Sequence, residues 1–149
     1  MSAIVTVVGG GFAGLAAVRE LARHRRRGAR IGVRLVDRRA ASVFSPLLPD
    51  LISERVRPGS ISFELEPHCR WLGVQFVRAE LKAILPEEAR IETDAGTFSS
   101  DCLILCQGCE NNWFGNEEAQ ARATGLKSLE EGLTIHQRLA GVARKLGGR

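Results

Sequence analysis

A chain of 149 residues with 44% hydrophobic and 26% charged side chains has the make-up of one ordinary globular domain, which excludes disordered and fibrous classes. No apolar run reaches the roughly 18 residues of a membrane helix, and "MSAIVTVV" is no signal peptide, so a cytoplasmic protein is expected. The net charge of +4 is uneven: residues 19–39 hold nine Arg against Glu20 and Asp37, and the remainder is acidic.

"AIVTVV" (3–8) is rich in β-branched residues and reads as a strand buried on both faces. Between Gly11 and Arg27, Leu15, Val18, Leu21 and Ala22 recur at helical spacing, and "IGVRLVD" (31–37) reads as a second strand. This β-α-β unit predicts a parallel pair with a right-handed crossover. "RHRRRGAR" places Arg25, Arg26 and Arg27 just before Gly28, where cations complement a helix dipole. Nucleic acid is therefore not expected as a partner.

"AASVFSPLLPD" reads as a loop with a short helical turn, and "SISFELEPHCRWLG" (60–73) as a helix weakened by Pro67 and stopped by Gly73. "VQFVRA" is a third strand. "ELKAIL", "RIET" and "TFSS", separated by "PEEA" and "DAG", form a β-meander. "DCLILCQG" reads as a buried strand. From Ser128 a last helix carries Leu129, Leu133, His136, Leu139, Ala143 and Leu146 on one side, opened by a Ser128–Glu131 capping box and ended by Gly147 and Gly148. His136 on that stripe reads as a partly buried, hydrogen-bonded side chain rather than a catalytic one.

Four cysteines without a secretory signal argue against a disulfide framework. "CQGC" (106–109) has redox or zinc spacing. Only one such pair exists, and Cys102 and Cys106 alternate onto the face of a strand taken as buried, so the cysteines read as structural and no metal is expected.

Gly9, Gly11 and Gly14 form G-x-G-x-x-G between the first strand and the first helix. Gly9 suits the tight turn, Gly11 lets a pyrophosphate reach the backbone, and Gly14 lets the helix lie close to the sheet. Amides near Phe12 and Ala13 then face the phosphates with the helix dipole behind them. Asp37, 23 residues after Gly14, is the acid expected to take the adenosine ribose. Its carboxylate argues against a 2′-phosphate beside Arg38 and Arg39, which leaves an arginine such as Arg38 to serve the pyrophosphate or adenine. The motif alone does not choose between FAD and a nicotinamide cofactor.

"VVGGGFAGLAA", "LVDRRAASVFSPLLPDL", "GVQFVRAEL", "TFSSDCLILCQGCENNWFG" and "LKSLEEGL" resemble, in that order, the FAD-binding first part of type II NADH dehydrogenases, in the pyridine nucleotide-disulfide oxidoreductase superfamily. "FSPLL" and "NNWFG" are the specific pieces. The resemblance implies a Rossmann-type α/β fold, a parallel sheet flanked by helices with a β-meander insertion. It implies that Gly9, Gly11, Phe12 and Ala13 line the FAD pyrophosphate, that Leu81 offers main-chain contacts to adenine, and that Gly108 lies near the dinucleotide. Here the family's strand-end "ATG" reads Cys106, Gln107, Gly108. "FSPLLPD" would pass near the flavin, and no cysteine pair flanks it as in the superfamily's disulfide reductases.

The expectation is thus residues 1–149 as the FAD-binding, N-terminal portion of a two-domain flavoprotein that passes hydride from NADH to FAD and electrons to a quinone. No catalytic side chain is assigned, and this stretch by itself is expected to be inactive. Peripheral membrane contact is a possibility for the longer protein. The alternatives are a non-catalytic nucleotide-binding module or part of an enzyme similar to sulfide:quinone oxidoreductases.

Overall fold

The computed structural model describes Ser2–Gly147. In chain order its elements are β1 (Ala3–Val8), α1 (Phe12–Arg26), β2 (Ile31–Asp37), β3 (Ala41–Val43), α2 (Leu48–Ile52), β4 (Ser62–Glu64), α3 (Leu65–Leu72), β5 (Gln75–Arg78), β6 (Leu81–Leu85), β7 (Arg90–Thr93), β8 (Gly96–Ser99), β9 (Cys102–Leu105), α4 (Glu117–Arg122) and α5 (Leu129–Gly147). They fall into two compact units. The first holds the residues up to Ser42 with Glu64–Gly108, and the second holds Val43–Phe63 with the residues from Cys109 onward.

The first unit is built on a parallel sheet of order β5-β2-β1-β9, with Val5 opposite Val33 on one side and Cys102 on the other. One face packs Val7, Val33 and Leu35 against Val18 and Ala22 of α1 and Leu65, Cys69 and Leu72 of α3. The opposite face packs Val8 and Val36 against Ala79 and Ile91, where the antiparallel β6-β7-β8 meander lies. Cover on both faces is why β1 and β2 read as continuous apolar runs. Fully buried Thr6 interrupts the run, and it accepts a 2.6 Å hydrogen bond from Ser100 Oγ.

Two sequence expectations change here. The helix expected over 60–73 is shorter, because Ser62–Glu64 is extended and α3 starts at Leu65. Pro67 is then the third helical residue, a first-turn position where its missing N–H costs no hydrogen bond. Gly73 does end the helix, in the left-handed region at φ 68°. Arg25 stands beside it, donating to the Gly73 carbonyl at 2.5 Å and the Leu72 carbonyl at 2.8 Å. So this cation serves the end of α3, beyond the dipole of its own helix.

The second correction concerns β9, expected as a buried strand. It is the outermost strand of its sheet, with Cys102 exposed and Leu105 51% exposed. An edge strand has a neighbour on one side only, and its apolar composition does not reveal that.

In the second unit, Leu48 and Leu51 of α2 and Ile61 pack with Leu126, Leu129 and Leu133. The capping box is present: Glu131 N donates to Ser128 Oγ at 3.1 Å, and Ser128 N returns a 2.9 Å bond to Glu131 Oε2. Glu131 also accepts from Lys127 N at 2.6 Å and Asn111 Nδ2 at 2.9 Å. The Lys127 amide first, then that of Ser128 and the Asn111 side chain, hold the Glu131 carboxyl below its ordinary value. A depressed folded value means that this contribution is present at neutral pH and is lost as pH falls from the ordinary carboxylate range toward the depressed one. Ser128→Ala is expected to cost about 1 kcal/mol, read as a lower urea midpoint.

The apolar stripe of α5 is used only in part: Leu139, Val142 and Leu146 are more than half exposed. His136 is half-buried, with Nδ1 3.1 Å from the Ile52 carbonyl and Nε2 3.4 Å from Glu54. Gly148, expected to help end this helix, lies outside the described residues.

Candidate dinucleotide-binding site

The glycine loop leaves the carboxyl end of β1. Gly9 has φ 105°, a conformation side-chain-bearing residues avoid, and its amide donates to the Val36 carbonyl of β2 at 2.8 Å. A Cβ at Gly9 would collide with the Cys106 carbonyl, while Cys106 N donates to the Val8 carbonyl at 2.7 Å. The loop is therefore threaded between the ends of β2 and β9. A Cβ at Gly14 would fall on the Gly9 carbonyl oxygen, so α1 begins in direct backbone contact with the loop. Gly11 differs: its backbone is extended, and a Cβ there meets nothing within 4 Å. Phe12 and Ala13 open α1 at the exposed surface; no side chain caps this helix start and no acidic residue lies in its first turn. The positive end of the dipole faces open space beside Gly11.

Asp37 ends β2 and is 9% exposed. Its Oδ2 accepts from Gly10 N at 2.5 Å and its Oδ1 from Arg39 N at 2.7 Å. Each carboxylate oxygen keeps a further lone pair for a hydroxyl donor. Gly10 was not part of the motif reading, yet its amide couples the loop to the acid, and a Cβ there would sit 2.7 Å from Leu65 Cδ1 and 3.2 Å from Asp37 Oδ2. The unbroken run Gly9, Gly10, Gly11 was the available signal. Arg38 is more than half exposed, with Nη1 4.0 Å from Glu80 Oε1. Leu81 begins β6, opposite Thr93, just after Ala79 N bonds the Asp37 carbonyl at 3.0 Å. Gly108, at φ 75°, follows β9.

The structure thus brings Gly9–Gly14, Asp37, the segment before Leu81 and Cys106–Gly108 to the carboxyl ends of β1, β2, β5 and β9. The strand order turns at β1, with β2 and β5 on one side and β9 on the other. Open α/β sheets place ligands at this switch point.

A sequence profile of the family described as "Pyridine nucleotide-disulphide oxidoreductase" matches residues 4–145. The chain belongs to this family. Among its relatives are the type II NADH:quinone oxidoreductase NdhA of Mycobacterium tuberculosis, 26% identical over 92% of this chain, and the alternative NAD(P)H-ubiquinone oxidoreductase C1 of Arabidopsis thaliana, 28% identical over 95%. The chain spans 29% and 30% of those two proteins. Among solved structures, NDH2 from Plasmodium falciparum in complex with NADH superimposes with a TM-score of 0.85 at 18% identity, over 99% of this chain and 30% of that one. The sulfide:quinone oxidoreductase of Aquifex aeolicus gives 0.84 at 22%, over 96% of this chain and 33% of that one. These likenesses show the Rossmann-type fold: a parallel sheet flanked by helices, with antiparallel strands inserted.

The cysteines of this family member differ in environment. Cys69 is buried, and desolvation pushes its thiol up to about 11. Cys102, read from sequence as inward-facing, is exposed, as is Cys109, whose Sγ lies 3.2 Å from Lys127 Nζ. Among the described residues no group of three His, Cys, Asp or Glu side chains is placed to hold a metal. Iodoacetamide at about pH 8 is expected to label Cys102 and Cys109 in the folded protein and Cys69 only after denaturation, read by peptide mass mapping.

Proposed function

We propose that the first unit binds FAD through its adenosine and pyrophosphate half, as the FAD-binding portion of a flavin-dependent NAD(P)H:quinone-type oxidoreductase. The observation that carries this reading is the open Gly11 backbone at an uncapped, acid-free helix start, with Asp37 beside it at the switch point. Gly9, Gly11, Phe12 and Ala13 take the pyrophosphate, Gly14 lets α1 start against the loop that holds it, Asp37 takes the ribose hydroxyls, and Leu81 the adenine edge through its main chain. Arg38 and Gly108 border the same opening. The residues present fit the group: the space at Gly11 is what a phosphate needs, and the dipole has the sign to hold it. The flavin supplies hydride acceptance from NADH and delivery of electrons to a quinone, whereas the chain's residues bind and orient it.

The Mycobacterium and Arabidopsis relatives are named for NADH or NAD(P)H and a quinone, which supports that reaction class for a longer protein of which residues 1–149 form the N-terminal part. The alternative, a nucleotide-binding module without chemistry, would use the same Gly9–Gly14 loop and Asp37.

The test is fluorescence titration with FAD, competed by ADP and by FMN. ADP is expected to displace FAD and FMN is not, because only ADP carries the adenosine half. Asp37→Ala is expected to weaken FAD about tenfold, the worth of one or two ribose hydrogen bonds. FMN competing as well as ADP overturns the assignment. NADH oxidation after adding the remaining portion of a relative would separate the enzyme from the binding module.

A further inference from the structure

In the second unit a thiol and an amine meet at the surface. Cys109 Sγ lies 3.2 Å from Lys127 Nζ, and both residues are exposed. The same Nζ donates to the Glu110 carbonyl at 2.7 Å, and the Lys127 amide donates to Glu131 Oε2 at 2.6 Å. Leu126 and Leu129, on either side, pack against Leu48, Leu51 and Ile61, so the lysine is fixed at its backbone and aimed by its tip. The residue type is selective. Eighteen of the 21 Lys and Arg residues are Arg, which leaves Lys82, Lys127 and Lys145 as the lysines. A guanidinium keeps its proton and serves an ion pair, whereas an amine can lose one and attack an electrophile. Of the other thiols, Cys69 is buried and Cys106 packs against the core of the first unit. Among the described residues Cys109 is the exposed thiol with a lysine in contact.

We propose that Cys109 and Lys127 are an oxidative modification site, at which hydrogen peroxide joins the two side chains by a sulfur–nitrogen bond. In the first step the thiol takes an oxygen atom from peroxide, giving a sulfenic acid and one water; sulfur is oxidised by two electrons and peroxide is reduced. Sulfenic acids condense with thiols and with nitrogen. In the second step the Lys127 amine attacks the Cys109 sulfur, the S–OH bond breaks, and the hydroxide leaves as water with a proton from the amine. One peroxide is consumed, two waters are released, and the protein loses two hydrogens. The exposed sulfur admits the oxidant, and the amine stands within hydrogen-bond distance of the atom it must attack, so no segment has to move to bring the pair together. The bond ties together two positions 18 residues apart, closing the segment that carries α4 at its base as a disulfide would. It needs no dinucleotide, so the inference does not rest on the flavin reading.

The test treats the reduced full chain with hydrogen peroxide, caps free thiols with iodoacetamide and maps tryptic peptides without reductant. Trypsin cannot cut after a lysine whose amine is bound. The expected product is therefore residues 91–122, which carry Cys109, joined to an uncut 123–138, with two hydrogens missing from the pair. Dithiothreitol is expected to restore the free thiol and the cut after Lys127. The linked protein is expected to melt roughly 5 °C higher than the reduced one. Lys127→Arg keeps the cation but supplies no such nucleophile; it is expected to lose the rise in melting temperature and to carry added oxygen on Cys109. Cys106→Ser is expected to form the link as the parent does. The proposal is overturned if oxidised protein is still cut after Lys127, or if the two hydrogens are lost within residues 91–122 alone, which is a disulfide between cysteines. It is equally overturned if Lys127→Arg gains the same thermal shift as the parent.

Discussion

Gly11→Val is expected to remove FAD binding while leaving the fold nearly untouched. The backbone at Gly11 is extended, with φ −83° and ψ −164°, which valine adopts readily, and a Cβ there meets no atom within 4 Å. The only local cost is a poorer helix cap, less than about 1 kcal/mol. The new side chain fills the space through which a pyrophosphate would reach the amides at the start of α1. Two charge-assisted hydrogen bonds are worth about 3 kcal/mol together, so affinity should fall at least a hundredfold. Titration with FAD and a thermal melt on the same preparation check both halves. An unchanged affinity would mean that the opening at Gly11 serves no anion.

The sequence carried the β1-α1-β2 unit because three signals agree there. Val5, Val7, Val33 and Leu35 belong to runs buried on both faces, Leu15, Val18 and Ala22 keep helical spacing, and three glycines mark the join. The meander was legible through its turns: "PEEA" ends with Ala89 in the left-handed region, and "DAG" closes between Thr93 and Gly96. What misled was the reading of apolar content as depth. "CLIL" and the Leu139–Leu146 stretch of α5 look like core, yet Cys102 and Leu105 at the ends of the first, and most of the second, are exposed, because composition records what a segment could bury and not whether a neighbour is there. The three-residue strands β3 and β4 carry too few residues to show an alternation. Within the site, the motif named the glycines and the acid but not the bond between them. That Asp37 holds the Gly10 amide depends on the closeness of two strand ends 27 residues apart in sequence, which no local pattern encodes.

Gly14→Ala sets two known effects against each other, and their magnitudes decide the sign. Alanine is the better helix former by about 1 kcal/mol, so propensity alone predicts a more stable protein. Here, however, the added methyl falls on the Gly9 carbonyl oxygen and 3.5 Å from Cys106 Cβ. The clash is with main chain, so no rotamer relieves it, and α1 must lift from the loop. Lifting it pulls fully buried Val18 and Ala22 away from Val7 and Leu35 in a packed core. Overpacking against a rigid neighbour costs up to about 3 kcal/mol, which outweighs the propensity gain. A net loss of about 2 kcal/mol is expected, a fall of roughly 4–8 °C in melting temperature for a chain of this size. FAD affinity should fall as well, since a lifted α1 no longer aims its first amides at the space beside Gly11. The two glycines are thereby separated by measurement: Gly11→Val loses ligand and keeps its melt, Gly14→Ala loses both. A Gly14→Ala protein more stable than the parent would show that helix propensity governs this position and that α1 does not rest on the Gly9 carbonyl.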